Sequence, residues 1–339
     1  MDQQLAGLHA FTLLPLISRT AAFVMGPLTV PPSGALLSAI MKQQPQIRAI
    51  YVPPFLVEQW VLEPGAYDQA RRLDFILCGG AALAPSVGNK LSEVTNIRQM
   101  YGSIETCHIQ ALNPQPGEWQ YIEFNNCPEI EMQAVGDDVY ELVLHPTESS
   151  RPYLSLAHNY PKVHTWRTKD LFKPHPTKAG LWLFHSRTED IIVLENKLKV
   201  WPIPMETILR GDPHVTGALI VGNGRPDPVL LVEARQSSYQ EMSRDELLDA
   251  IWPSVVEANS VASEHAQIQR SRIVLCPPKL GFFRTPKGTV MRKPTESLYA
   301  ELISAAFTEE DDDSSGDEYD FSGDRTELGM REAELLTAT

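Results

Sequence analysis

Between residues 35 and 103, short apolar runs alternate with helical periods, and most are closed by proline or glycine. ALLSAIMKQQ (35–44) carries its apolar residues at helical spacing. IRAIYV stops at Pro53-Pro54, after which FLVEQWVLE resumes a helical period. LDFILCGG reads as a strand closed by paired glycines, PSVGNKLSEV as a helix entered through Pro85, and IRQMYG as a further short strand. Strands separated by helices pair in parallel through crossover connections, which predicts an α/β fold with a sheet covered by helices.

Downstream the pattern changes. From Trp119 to Pro146, YIEFNN, EIEMQAVG and DDVYELVLHP alternate apolar and polar residues, with GDD as a turn, and WRTKDLF and GLWLFHSR add two strands. This predicts antiparallel β. After Arg187 a smaller α+β unit is expected: a DIIVLEN/KLKVWP hairpin, a PMETILRG helix and the strands VTGALIVG and DPVLLVEA. A helix headed by Ser243 with Glu246 at capping-box spacing, a RIVLC strand and a final helix over 294–307 complete it. The expected organisation is therefore residues 1–186, a second domain over 187–307 with a hinge near Ser186–Asp190, and a tail over 308–339.

Charge narrows the partners. The chain of 339 residues has a net charge of −14, and the tail alone holds 12 acids against 2 bases. The tail reads as disordered because it cannot bury enough apolar surface to offset its ordering entropy. Nucleic acid is not expected as a partner, since phosphate neutralisation needs clustered Lys and Arg. Cys78, Cys107, Cys127 and Cys276 form no CxxC pair, which fits a reducing, cytoplasmic setting and argues against a zinc site. The apolar stretch LHAFTLLPLISRTAAFVMGPLTV is interrupted by Pro15 and Arg19. It reads as a buried segment of a soluble fold, and no membrane partner is expected.

Four stretches carry chemistry. LDFILCGGAAL and MYGSIET put glycines at two strand ends that a parallel sheet would bring side by side, at the carboxyl edge where open α/β sheets bind ligands. Tyr101 offers an aromatic face and Glu105 a hard oxygen ligand for a cation such as magnesium. In WRTKDLF, Asp170 at the end of a β element can accept both hydroxyls of a ribose; taken alone it reads as a capped turn instead. In SRTEDIIV, Arg187 can donate to ribose or phosphate oxygens, or form a surface ion pair. In RTPKGTVMRK a lysine can neutralise developing charge, or simply decorate a basic turn.

The order GGAAL, YGSIET, WRTKDLF, SRTEDIIV, RTPKGTVMRK resembles the core motifs of the adenylate-forming superfamily over about residues 5–305. The similarity is greatest to adenylation domains of fungal peptide-synthetase-like enzymes and carboxylic acid reductases, whose last motif also contains Lys-Gly-Thr-Val followed by an arginine. The resemblance implies the C-terminal portion of a large adenylation domain, mixed sheet plus β subdomain, followed by a small α+β lid. It implies that His9 in AGLHAFTL flanks the acyl pocket and that Gly79, Gly80 and Ala81 line the adenine and acyl cleft. It implies that Tyr101 stacks on adenine beside Gly102, and that Ser103 and Glu105 face phosphate and Mg2+. Asp170 would grip the ribose with Arg187 in support, Glu189 would be the lid pivot, and Lys287 the lid lysine. The implied reaction joins a carboxylic acid to ATP, giving acyl-adenylate and pyrophosphate, and passes the acyl group to the thiol of a phosphopantetheinyl carrier or synthase in trans. Two departures stand out. The family's glycine- and Ser/Thr-rich phosphate loop lies upstream of the His9 motif, where this sequence has no counterpart, and Ile104 stands where relatives carry a phosphate-binding threonine. Two functional readings follow: an adenylation component completed by a polypeptide supplying the missing N-terminal half, or a non-catalytic remnant that keeps an interaction surface. Acyl-pocket walls are expected from residues 53–60 and 78–82.

Overall fold

The computed structural model describes residues 31–308 apart from 110, 113–114, 116, 125–128, 153 and 286–287. The alternating region forms α1 (Gly34–Gln43), β1 (Ala49–Val52), α2 (Pro54–Trp60), α3 (Ala66–Ala70), β2 (Phe75–Gly79), α4 (Pro85–Ser92) and β3 (Asn96–Ser103). Local chemistry sets these boundaries. The Ser33 hydroxyl accepts the Leu36 N–H at 3.2 Å to start α1, and Pro54 and Pro85 occupy first-turn positions where no N–H is needed. β1, β2 and β3 pair in parallel, with Val52 opposite Cys78 and Gly79 opposite Met100. β4 (Cys107–Ile109) then turns back antiparallel on β3. One face of the sheet buries Ile50, Ile76, Cys78 and Ile97 against Val57, Trp60 and Leu91 of the helices. The indole N–H of Trp60 is satisfied inside this core by Gln69 Oε1 at 2.8 Å.

The second sheet has six strands in the order β5-β6-β10-β9-β8-β7, comprising β5 (Ala111–Leu112), β6 (Tyr121–Phe124), β7 (Ile130–Gly136), β8 (Val139–Leu144), β9 (Trp166–Pro174) and β10 (Leu181–Arg187). Its described pairs are antiparallel, and Gly136, Asp137 and Asp138 make the β7–β8 turn with φ of 111°, 53° and 54°. The short helix α5 (Ser155–Asn159) packs Leu156 into its core beside Leu142, Leu144 and Phe172.

A 3-10 turn at Thr188–Asp190 leads into a hairpin of β11 (Ile192–Val193) and β12 (Lys199–Val200), then α6 (Pro202–Leu209). A three-stranded sheet follows from β13 (Val215–Val221), β14 (Val229–Ala234) and β15 (Ile273–Leu275), with α7 (Gln236–Glu241) and α8 (Arg244–Ser260) inserted before β15. The nearly continuous apolar runs of β13 and β14 are explained by burial on both faces. Ala218, Ile220, Leu230 and Val232 join the core with Leu248, Ile251 and Val255 of α8, while Leu219, Val221, Val229 and Leu231 join Phe282, Tyr299 and Ile303. The Ser243–Glu246 capping box forms as its spacing predicts. The final helix is two pieces, α9 (Arg292–Leu298) and α10 (Ala300–Ala305), instead of one. They meet at Tyr299, which leaves helical geometry while its ring is buried against Phe282 and its hydroxyl bonds the Leu280 carbonyl. Among the described residues no helix is long and apolar enough to cross a membrane.

Candidate functional site

The sheet topology brings the glycine-bearing strand ends together. Gly79 lies beside Met100, close enough that a Cβ on it would sit 3.0 Å from the Met100 carbonyl oxygen. Gly80 takes φ +92°, a conformation costly for any residue with a side chain. Ala81 follows on the surface. At the end of β3 the chain reverses tightly: a Cβ on Gly102 would meet the Cys107 carbonyl oxygen at 2.1 Å. The turn is tied by reciprocal bonds, the Ser103 N–H to Thr106 Oγ1 at 3.2 Å and the Thr106 N–H to Ser103 Oγ at 3.3 Å. Thr106, buried and not singled out by the sequence, is what fixes Ser103. Ile104 is 51% exposed, an aliphatic side chain at the mouth of the turn. Glu105 is half-buried, and its carbonyl accepts from Asn159 Nδ2 at 3.1 Å.

Tyr101, Asp170 and Arg187 converge from three strands. The Tyr101 hydroxyl donates to Asp170 Oδ2 at 2.7 Å, and Arg187 Nε lies 2.9 Å from Asp170 Oδ1. The Tyr101 ring meets Phe172 and Phe124 edge-on at 5.3 and 5.6 Å. Burial raises the Asp170 carboxyl above its ordinary range, and the Tyr101 hydrogen bond and the Arg187 charge oppose that rise. Burial, with the Asp170 charge adding to it, likewise holds the Tyr101 phenol well above its usual value. An ionised carboxylate has about four acceptor sites. With one protein donor on each oxygen, Asp170 keeps one acceptor site per oxygen, a geometry suited to two adjacent hydroxyls.

Asp170 does not end its strand as the sequence suggested. It sits within β9 at an irregularity, where β8–β9 pairing shifts between Glu141 and Val143, and Lys169 just before it takes φ +62°. Strain of this kind in a non-glycine residue persists only where its surroundings fix it. Here buried Glu141 accepts the Lys169 N–H at 3.1 Å, and the Lys169 ammonium reaches Glu189 at 2.6 Å. A second irregularity falls in β10 between Phe184 and Ser186. Continued without it, the ladder from Phe184–Phe172 would set Arg187 opposite Lys169; the irregularity sets it opposite Asp170. Glu141 and Lys169 were invisible as site residues because their roles come from a backbone irregularity, which no local pattern marks, whereas Thr106 bonds Ser103 three residues away within YGSIET.

Glu189 thus lies on the 3-10 turn between β10 and β11, bound to Lys169, and exposed Thr188 also reaches the Lys169 carbonyl, at 3.3 Å. Asp190 is 3.7 Å from Arg292, which in turn holds buried Glu206 at 2.8 Å and the Ile220 carbonyl at 2.6 Å. The arginine closing RTPKGTVMRK therefore ties the turn to α6 and β13. His9 and Lys287 lie outside the described residues. Beside Lys287, Gly288 takes φ +79°, and a Cβ there would meet the Phe55 ring at 2.6 Å. Gly288 thereby rests on α2, next to the carboxyl edge of β1.

The expected pocket walls are only partly realised. Val57, Trp60 and Cys78 are fully buried in the core and line no cleft, because alternate positions of an amphipathic element face inward; Phe55 is half-buried at the Gly288 contact. A small cavity of about 180 Å³ lies elsewhere, between Leu77, Arg98, His108 and Tyr121. No group of three or more His, Cys, Asp or Glu gathers among the described residues to hold a metal. A magnesium ion at Glu105 would rely on one carboxylate with phosphate oxygens and water, a donor set that ion accepts.

An α/β unit with glycine turns at its carboxyl edge, a β sheet that supplies an Asp–Arg pair and a following α+β stretch that contacts the first unit at Ala82, Ser86 and Phe55 together make an architecture of the adenylate-forming kind. The chain belongs to that family: residues 5–138 match the AMP-binding enzyme domain and residues 189–311 the AMP-binding enzyme C-terminal domain. It is 30% identical over 275 residues to a carboxylic acid reductase of Neurospora crassa, covering 77% of this chain and 25% of that protein. It is 31% identical over 320 residues to the adenylate-forming reductase Nps11 of Serpula lacrymans, covering 89% of this chain and 28% of that protein. In fold it is similar to the A domain of the carboxylic acid reductase from Segniliparus rugosus, solved in complex with AMP and a co-purified carboxylic acid. The TM-score there is 0.58 at 12% identity, over 77% of this chain and 47% of that one. The chain thus spans about a quarter of these curated relatives and about half of that solved domain.

Proposed function

We propose that residues 31–308 form the nucleoside-binding half of an adenylation site, serving the formation of an acyl-adenylate from a carboxylic acid and ATP. The observation that carries this reading is the Tyr101–Asp170–Arg187 cluster, which presents a half-buried carboxylate with two unused acceptor sites next to glycine turns. Asp170 accepts the ribose hydroxyls, Arg187 balances its charge, and Tyr101 fixes its orientation while offering aromatic surface to the base. Gly79, Gly80 and Ala81 line the cleft. Ser103 and Glu105 face the phosphates and their magnesium ion. Residues 187–307 act as the lid, pivoting at Glu189 and delivering Lys287, while His9 flanks the acid. In the reaction a carboxylate oxygen attacks the α-phosphorus and pyrophosphate leaves. A carrier thiolate then attacks the acyl carbon and AMP leaves. Positioning and charge, rather than covalent work by the protein, lower these barriers.

The phosphate side is the weaker one. Ile104 provides no hydroxyl, and losing one transition-state donor commonly costs about two to three powers of ten in rate. We therefore expect the isolated chain to bind AMP but to give ATP–pyrophosphate exchange at background with a panel of carboxylic acids. Exchange should rise when a polypeptide with a Gly/Ser/Thr-rich phosphate loop is supplied. Robust exchange by the chain alone would show that the phosphate donors are already sufficient. Failure to bind AMP, or equal binding of AMP and its 2′,3′-dideoxy analogue, would defeat the ribose-site reading and leave the non-catalytic interaction protein.

A further inference from the structure

We infer that Arg210 is a positioning residue through which the small domain sets the shape of the Gly79–Ala84 loop. Arg210 stands at the C-terminal end of α6, in the small domain, yet its guanidinium reaches across to the large one. Its Nη2 donates to the Ala82 carbonyl at 2.8 Å, and its Nε lies 3.5 Å from Glu58 Oε2. The other oxygen of Glu58 accepts the Ala84 N–H at 3.0 Å. One guanidinium and one carboxylate thus hold both ends of the segment that follows Gly79 and Gly80.

Burial makes the arrangement consequential. The Glu58 side chain is 8% exposed and that of Arg210 is 22% exposed. A carboxylate this deep needs a cationic or hydrogen-bonding partner, and removing one member of a buried pair is far costlier than the pair is stabilising. Among the described residues, the cation that pairs with Glu58 comes from the other domain. Arg235, also in the small domain, lies within reach of the same charge: burial lowers its pKa, and the Glu58 and Asp212 carboxylates oppose that fall. The backbones approach closely at the same place: Ser86 Oγ donates to the Gly211 carbonyl at 3.3 Å, and a Cβ on Gly211 would lie 2.1 Å from that hydroxyl.

When the small domain moves away, Glu58 loses Arg210 and the Ala82 carbonyl loses its donor in one step. Of these contacts the loop then keeps only the Ala84 N–H bond to Glu58, whose carboxylate has lost its cationic partner. By reciprocity, anything that orders the loop favours docking of the small domain by the same free energy. The inference uses the proposed function only in taking residues 79–81 as cleft lining; the contact itself is independent of it.

The test is amide hydrogen exchange on the full chain with and without AMP, for wild type, Arg210→Ala, Glu58→Gln and the double variant. Arg210→Ala should speed exchange at Ala82 to Ser86 about tenfold or more, with Arg210→Lys intermediate, and the two single changes should be strongly non-additive. In wild type, AMP should slow exchange both at residues 79–86 and at 210–212; in Arg210→Ala the second effect should vanish. Unchanged exchange at 82–86 in Arg210→Ala, or additive single effects with both variants folded by circular dichroism, would overturn the inference. Absence of any AMP effect in wild type would count against the nucleotide reading alone, because the AMP-free comparison still decides the coupling.

Discussion

Replacing Tyr101 with phenylalanine removes one atom from the center of the site and isolates the hydroxyl that orients Asp170. The lost bond, 2.7 Å long, runs to a carboxylate whose side chain is only 16% exposed. A hydrogen bond to a charged group contributes about 1.5–3 kcal/mol, and a donor withdrawn from an acceptor that water still partly reaches sits near the middle of that range. Arg187 cannot compensate fully, because its side chain is 49% exposed and solvent screens the pair; such pairs are worth roughly 0.2–1 kcal/mol. The structure therefore ranks the two: Tyr101→Phe should cost about 2 kcal/mol and Arg187→Ala about half that or less. For a domain of 150–250 residues 1 kcal/mol moves Tm by about 2–4 °C, which makes the difference measurable by calorimetry. The pH dependence follows from the sign of the Asp170 shift. Its folded-state pKa is raised, so the folded form holds the proton more tightly, and that contribution is full below the unfolded pKa and is lost as pH rises through the folded one. Removing the Tyr101 donor raises the folded value further, so the cost of Tyr101→Phe should be greatest near neutrality and shrink as Asp170 protonates. A larger penalty for Arg187→Ala, or a Tyr101→Phe penalty that grows toward acid pH, would refute this account.

Ile104→Thr should tighten AMP binding while leaving Tm within about 1 °C, since the exposed side chain contributes little burial; titration calorimetry would read both the gain and its absence. Gly88→Ala should destabilise by roughly 1–3 kcal/mol in urea unfolding, because the new methyl would fall 2.1 Å from the Trp119 ring, and a neutral effect would mean that the ring shifts at no cost. His185 is buried with Nε2 unpartnered, and burial pushes its pKa down from 6.5 to about 4. Stability should consequently fall as pH drops from about 6.5 to about 4, and His185→Phe should flatten that slope without harm at pH 7.

The alternating region was legible because its strand and helix periods differ and its boundaries carry proline, glycine or serine, each with a fixed backbone meaning. The GDD turn and the Ser243 capping box were legible for the same local reason. What could not be read was whatever depends on register. Asp170 looked like a strand end because its neighbors gave no sign that β9 is irregular. Trp60 and Cys78 looked like pocket walls because sequence shows which residues are apolar, not which face of the sheet receives them. The Arg210–Glu58 contact joins residues 152 positions apart, and neither has a local signature.

The β10 irregularity bears on how such chains diverge. Asp170 and Arg187 are partners by counting along two strands, so their meeting depends on the number of residues between Leu171 and Ser186 that enter the ladder. A change of side chain there leaves that count as it is, although buried Leu171 and Phe172 must still fill the core. Inserting or deleting a single residue within the paired segments is different: it turns one of the two toward the other face of the sheet, with every motif letter still in place. Length within these strands is therefore a condition, separate from residue identity, for keeping the carboxylate and the guanidinium together.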